Sequence, residues 1–338
     1  MSAPTNLHRV SDGDPGITRR RCGRGFTYRY PSGRTVRSAP VRERIEALAI
    51  PPAWTDVWIC RDPRGHLQAT GRDAKGRKQY RYHPEWRAWR ERRKFDRLGA
   101  FAERLPALRR QVDQDLRRAQ LDRARVTAAA VRLLEGCCMR VGNDAYRRAN
   151  GTYGLTTLRE RHVELGATAL HFTFRTKGGA EETFEVTDAR AARVLRRCCE
   201  LPSEALWTWS DADGAVHELA SSDVNDYVQR HTGTDATAKT FRIWMGSLHA
   251  LDHLMHAPAP DGERARTRRF LEAVDAAREV LRNTRAVCRR AYLHPNLEAL
   301  FMRGELAAVA DFATARSSKW LDREEVALKR VLAHPLTD

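Results

Sequence analysis

The stretch Asn283-Thr-Arg-Ala-Val-Cys-Arg-Arg-Ala-Tyr292 sets one tyrosine on a strongly basic helical segment, with a neutral amide nine residues upstream. A phenol ionises near ~10 and is mostly protonated at neutral pH. Its use against a phosphodiester therefore calls for cations that stabilise both the phenolate and a pentacoordinate phosphate. A leaving oxygen needs a proton as well. Arginine, with a pKa above ~12, donates one poorly, whereas a lysine beside phosphate and other cations can be tuned to do so. Lysine is scarce here: 53 of the 60 basic residues are arginine. Lys177, in Thr176-Lys-Gly-Gly179, is the best placed general-acid candidate, against the plain alternative of a solvated turn lysine.

The elements that must position these groups follow from periodicity. His171-Phe-Thr-Phe-Arg175 and Glu182-Thr-Phe-Glu-Val186 alternate and flank the Gly-Gly turn, which predicts a β-hairpin tipped by Lys177. Around it, apolar spacing predicts helices over 123–138, 189–199, 222–231, 238–256 and 264–292, the last ending on Tyr292. An amphipathic C-terminal helix is expected over 317–332, with no chemistry assigned to it. Earlier, Phe26-Thr-Tyr-Arg-Tyr30, Asp56-Val-Trp-Ile-Cys-Arg61 and His66-Leu-Gln-Ala-Thr70 read as short strands among Gly and Pro, with a short helix over 41–48. The pattern turns helical from Pro84, placing a boundary within 84–96. The fold expected is α+β: a small β-rich domain, 1–90, whose first 24 residues form a mobile basic arm, then a larger mostly helical catalytic domain, 91–338, interrupted by the hairpin.

Charge points to the partner. The chain carries +17 overall; residues 1–94 hold 22 Lys and Arg against 9 Asp and Glu, while the remainder holds 38 against 34. Such an excess favours a polyanion and makes the first quarter the electrostatic clamp, unless the arginines reflect codon bias alone. No run of ~18 uncharged apolar residues occurs and the N-terminus lacks a signal-peptide core, so a cytoplasmic, nucleoid-associated protein without membrane attachment is expected. The seven cysteines lack Cys-x-x-Cys spacing and read as reduced packing thiols. His249, His253 and His256 share one predicted helix, the first two at i, i+4, but without the His-Glu-x-x-His base; packing or polar contacts are preferred to a metal site.

Several motifs, in order, resemble one family. Cys138-Met-Arg140-Val-Gly-Asn-Asp-Ala-Tyr146, followed by Tyr153-Gly-Leu-Thr-Thr-Leu158, is similar to the first catalytic-arginine motif of the poxvirus-type topoisomerases IB and their bacterial branch. Phe174-Arg-Thr-Lys177-Gly-Gly resembles the hairpin lysine motif, Lys239-Thr-Phe-Arg242 the second arginine motif, and the stretch from Asn283 to Tyr292 the nucleophile motif. Ile50-Pro-Pro-Ala-Trp-Thr-Asp-Val-Trp-Ile59 and Gly71-Arg-Asp-Ala-Lys-Gly-Arg-Lys-Gln-Tyr-Arg-Tyr82 resemble that family's DNA-clamp domain. The resemblance spans residues 25–310.

The resemblance implies a monomer that wraps duplex DNA and relaxes positive and negative supercoils through a 3′-phosphotyrosyl intermediate, without ATP, metal or other cofactor. Tyr292 would attack the phosphate; Arg140 and Arg242 would each donate to nonbridging oxygens, a role in which one lost donor commonly costs ~2.7–4 kcal/mol. Lys177 would protonate the 5′ oxygen. Asn283 stands where viral members carry histidine; an amide can donate one hydrogen bond but neither carries charge nor shuttles a proton, so its role is orientation of the transition state. Arg72, Lys75, Arg77, Lys78, Gln79, Tyr80 and Tyr82 would touch DNA, with Gln79, Tyr80 and Tyr82 near bases, and Tyr146, close to Arg140 in sequence, would be a further contact. The rival tyrosines are Tyr28, Tyr30, Tyr146, Tyr153 and Tyr227. Two other readings stay open on residues alone: a tyrosine recombinase, which more usually shows His-x-x-Arg at the second arginine, and a non-catalytic basic DNA-binding protein.

Overall fold

A computed structural model describes residues 4–335. The chain divides into two compact units, Met1–Lys94 and Phe95–Asp338, and the division falls inside one helix, Pro84–Asp115.

The first unit is an antiparallel sheet of β1 (Ile17–Cys22), β2 (Gly25–Arg29), β3 (Thr55–Ile59), β4 (Leu67–Arg72) and β5 (Lys78–Tyr82), in the order β2-β1-β3-β4-β5, with helix α1 (Ala39–Ala47). Alternation turns Val57 and Ile59 inward, where they join Ile17, Val36, Ile45 and Ala69 in one apolar cluster. The expected mobile arm is corrected here. Its first three residues lie outside the described part, but β1 occupies 17–22 and pairs with both β2 and β3. Ile17 anchors the strand in the core. Arg19 donates to the carbonyls of Ile50, Pro51 and Trp54 and lies over the Phe26 ring. The arginine cluster that reads as a solvated tail is thus partly committed to folding.

The second unit begins within α2 (Pro84–Asp115) and continues through α3 (Arg123–Cys137), α4 (Asp144–Asn150), a sheet of β6 (Val163–Leu165), β7 (Ala169–Arg175) and β8 (Glu181–Thr187), and α5 (Ala189–Cys198). There follow the small hairpin β9 (Thr208–Ser210) and β10 (Val216–Glu218), then α6 (Ser221–Thr232), α7 (Ala238–Met255), α8 (Glu263–Leu281), α9 (Arg285–Tyr292), α10 (Pro295–Arg303), α11 (Leu306–Ala310) and α12 (Arg323–Ala333). Helix α7 is the hub. Phe241, Ile243, Trp244, Ala250, Leu251 and Leu254 bury several of its faces, as a helix enclosed by others requires, and it packs against α3, α6, α8, α9, α10 and α12.

Two helix expectations change. The helix expected over 264–292 breaks at 282–284: Arg282 turns left-handed at φ 51° and ends α8, and Thr284 caps α9 by accepting from the Val287 N–H. The helix expected over 317–332 begins only at Arg323, where the Glu325 carboxylate reaches back to accept the Asp322 N–H at 3.0 Å. It belongs to the core, burying Ala327, Leu328 and Val331. Its Glu325 is 2% exposed, yet charged: Arg109 of α2 grips it with two nitrogens while also meeting Glu135, and the Trp244 indole donates to it. Among the described residues no helix is long and apolar enough to cross a membrane.

Candidate active site

Arg140 lies in the loop after α3, whose last turn is closed by Cys138 in a left-handed conformation, φ 54°. The loop is clamped by backbone hydrogen bonds from Leu155 and Thr156 to the carbonyls of Arg140 and Val141. Gly154 makes this possible: a Cβ there would stand 2.6 Å from the Gly142 backbone and 2.7 Å from the Arg140 carbonyl. The guanidinium then reaches the break between α8 and α9, donating through Nη2 to Asn283 Oδ1 at 2.6 Å and to the Arg282 carbonyl at 3.2 Å. Burial, and then the charge of Arg242, depress its pKa.

Arg242 projects from the first turns of α7 and is 4% exposed. It donates to the Cys138 carbonyl and, at 2.6 Å, to that of Leu281, so it fastens the end of α3 to the end of α8. Its guanidinium carbon stands 5.1 Å from the centre of the Tyr292 ring. Tyr292 is the last residue of α9 and half-buried. Among the described residues neither Arg140 nor Arg242 is ion-paired with a carboxylate, unlike many of this protein's arginines. Two cations holding only neutral partners beside a phenol form an anion site. The Asn283 Nδ2 adds a buried donor that has no protein acceptor.

The structure therefore brings Arg140, Arg242, Asn283 and Tyr292 together. Lys177 is on the β7–β8 turn as expected, exposed, with its Nζ 5.5 Å from the Tyr146 ring of α4. The hairpin is joined to the arginine loop by the Tyr153 N–H, which donates to the Arg175 carbonyl. The rival Tyr227 is buried and donates to Asp115, and both burial and that carboxylate raise its pKa strongly. Tyr153 accepts from Arg161 and packs edge-on against His162. Sequence reasoning missed two α7 residues under Tyr292, Gly246 and Ser247, although a glycine inside an otherwise apolar helix, four residues after Arg242, signals close approach.

In the first unit the β4–β5 hairpin carries the expected DNA contacts, but many are engaged internally. Asp73 accepts from the backbone of Lys75 and Arg77 and from the side chains of Arg77 and Gln79; the Arg77 bond first of all lowers its carboxyl to about 2. Lys78 pairs with Asp12 at 2.5 Å, and Arg72 lies 3.6 Å from Asp56. Strand alternation splits the trio expected at bases. Tyr80, 47% exposed, and Tyr82 stack on one face with centroids 6.0 Å apart, while Gln79 points to the other.

The chain is similar to known proteins along most of its length. Residues 83–301 match the family described as eukaryotic DNA topoisomerase I, catalytic core, and residues 25–73 match the bacterial DNA topoisomerase IB N-terminal domain. A DNA topoisomerase 1B of Acanthamoeba polyphaga mimivirus is 30% identical over 285 residues, covering 82% of this chain and 85% of the viral protein. With a basic strand-rich unit, a helical unit and two arginines free of carboxylate ion pairs around a helix-end tyrosine, the chain belongs to the type IB DNA topoisomerases.

Proposed function

We propose that this type IB topoisomerase relaxes positive and negative supercoils in duplex DNA with Tyr292 as its nucleophile. The Tyr292 oxygen attacks the scissile phosphorus, the bond to the 5′ oxygen breaks, and the 3′ end is held as a phosphotyrosine while the nicked strand rotates. The bond energy is kept in the ester, so the 5′ hydroxyl reverses the step without ATP. Arg140 and Arg242 donate to the nonbridging oxygens as negative charge accumulates there, and Asn283 Nδ2 adds a neutral donor. Lys177, exposed at the turn of the β7–β8 hairpin, delivers the proton to the departing 5′ oxygen. The first unit holds the duplex through the exposed Tyr80–Tyr82 face and its basic neighbours, including Lys75, and Tyr146 touches the strand near the lysine. The enzyme works as a monomer.

The observation that carries this reading is the pair of guanidiniums without carboxylate partners beside the Tyr292 ring. The test is relaxation of plasmids of both supercoil signs in EDTA without ATP, together with trapping of a covalent adduct on a nicked substrate. Wild type should relax both and form the adduct, and Tyr292→Phe should do neither. Adduct formation by Tyr292→Phe would transfer the role to another residue.

A further inference from the structure

Below the Tyr292 ring, α9 lies on α7 with almost nothing between them. An added Cβ at Gly246 would meet the Tyr292 carbonyl oxygen at 2.9 Å, the Tyr292 Cβ at 3.3 Å and a Leu281 methyl at 2.9 Å. Gly246 has ordinary helical geometry, so its backbone alone does not require glycine. In that conformation alanine would favour the helix by ~1 kcal/mol, and only the close approach opposes it. The next residue, Ser247, is fully buried. Its Oγ accepts the His294 N–H at 3.0 Å and donates toward the Tyr292 carbonyl at 3.4 Å. One hydroxyl thus serves a carbonyl at the end of α9 and the N–H of His294, the residue that caps α10. Arg242 and Gly246 are one turn apart on α7 and share a face.

We propose that Gly246 and Ser247 are positioning residues for the nucleophile, an inference that rests on the assignment of Tyr292 above. Glycine sets how near the tyrosine backbone comes to α7, and serine fixes the chain on both sides of Leu293. A single rigid helix thereby sets the separation between the phosphate-binding Arg242 and the attacking oxygen. Displacement by a side chain at 246 moves the phenol relative to the guanidinium, and misplacement on the order of 1 Å can cost about a hundredfold in rate.

The experiment is single-turnover cleavage of a nicked suicide duplex at saturating enzyme, with DNA affinity, melting temperature and the fraction of active molecules measured in parallel. Gly246→Ala and Ser247→Ala should lower the cleavage rate constant about ten- to a hundredfold, and religation equally, with affinity and active fraction unchanged. Ser247→Thr, which keeps the hydroxyl, should recover most of the rate. A purely structural role would lower melting temperature and active fraction while the active molecules cleave at the wild-type rate, and that result overturns the proposal. If Gly246→Ala does not fold, Ser247→Ala, which adds no bulk, carries the same test. Tyr292→Phe on the same duplex separates the two ideas: an adduct from it removes the nucleophile assignment, whereas no adduct from it with wild-type rates in the α7 variants removes only the positioning role.

Discussion

Arg140 and Asn283, 143 positions apart in sequence, are joined by a 2.6 Å hydrogen bond in which the guanidinium donates to the amide oxygen. The amide orients the arginine with one end and keeps a buried N–H free at the other. Asn283→Ala removes both and should slow cleavage about a hundredfold at unchanged DNA affinity. Asn283→Asp keeps the acceptor but sets negative charge where the phosphate must lie, so it should cleave more slowly than the alanine variant. A rapid-quench comparison of the two checks the order, and a faster aspartate variant would remove Asn283 from phosphate contact.

The two arginines should separate in stability while agreeing in rate. Arg242 is buried and satisfies two backbone carbonyls, so Arg242→Ala leaves acceptors unpaired at ~1–3 kcal/mol each and should lower the melting temperature visibly. Arg140 is more accessible, and Arg140→Ala should melt close to wild type. Both should lose at least about a hundredfold in cleavage. Calorimetry beside single-turnover kinetics reads the contrast.

His294, two residues after the nucleophile, gives the fold an acid limit. Burial pushes its imidazole down to about 4, and its neutral Nδ1 accepts the Asn296 N–H at the start of α10. The unfolded chain takes up this proton near ~6.5 and the folded one only near about 4, so the stabilisation is complete above the first value. It is lost as pH falls between them, reaching roughly 3 kcal/mol. Melting temperatures from pH 7 to 4.5 should fall less steeply in His294→Asn, which keeps a capping acceptor that does not titrate. Equal slopes would assign the acid sensitivity elsewhere.

The β4–β5 hairpin should bind DNA by two separable means. Tyr80→Ala removes an exposed aromatic surface and should weaken binding while leaving the salt dependence unchanged. Lys75 is exposed at the turn, and Lys75→Ala should reduce the slope of log affinity against log salt by about one. Titrations at several salt concentrations distinguish the two, and an unchanged slope for Lys75→Ala would remove it from phosphate contact.

Much of this was legible in the residues because strong local signals coincide with the chemistry. The Lys177 hairpin follows from alternation and paired glycines, and α7 from a long apolar period. The break at 282–284 was less visible, since arginine in a left-handed conformation carries no sequence mark, although Asn-Thr is capping chemistry. β1 was hidden because its Arg19 is satisfied by carbonyls over thirty positions away, a pairing that composition cannot reveal. The role of α12 was hidden in the same way: Glu325 looks solvent-facing until Arg109, 216 positions away, arrives. Gly246 and Ser247 escaped because a missing side chain and a single hydroxyl acquire meaning only from the neighbour they admit.

The interruption between α8 and α9 has a dynamic consequence. The nucleophile rides on an eight-residue helix in which only Cys288 is buried, whereas Arg242 belongs to the most enclosed helix of its unit. A helix that short has little stability of its own and depends on its seat. The reacting oxygen and the charge that activates it thus belong to parts of very different opening energy. Arg242 takes its partners from the ends of α3 and α8, so the cradle is folded without help from α9, while the phenol keeps its place only through the contact of α9 with α7.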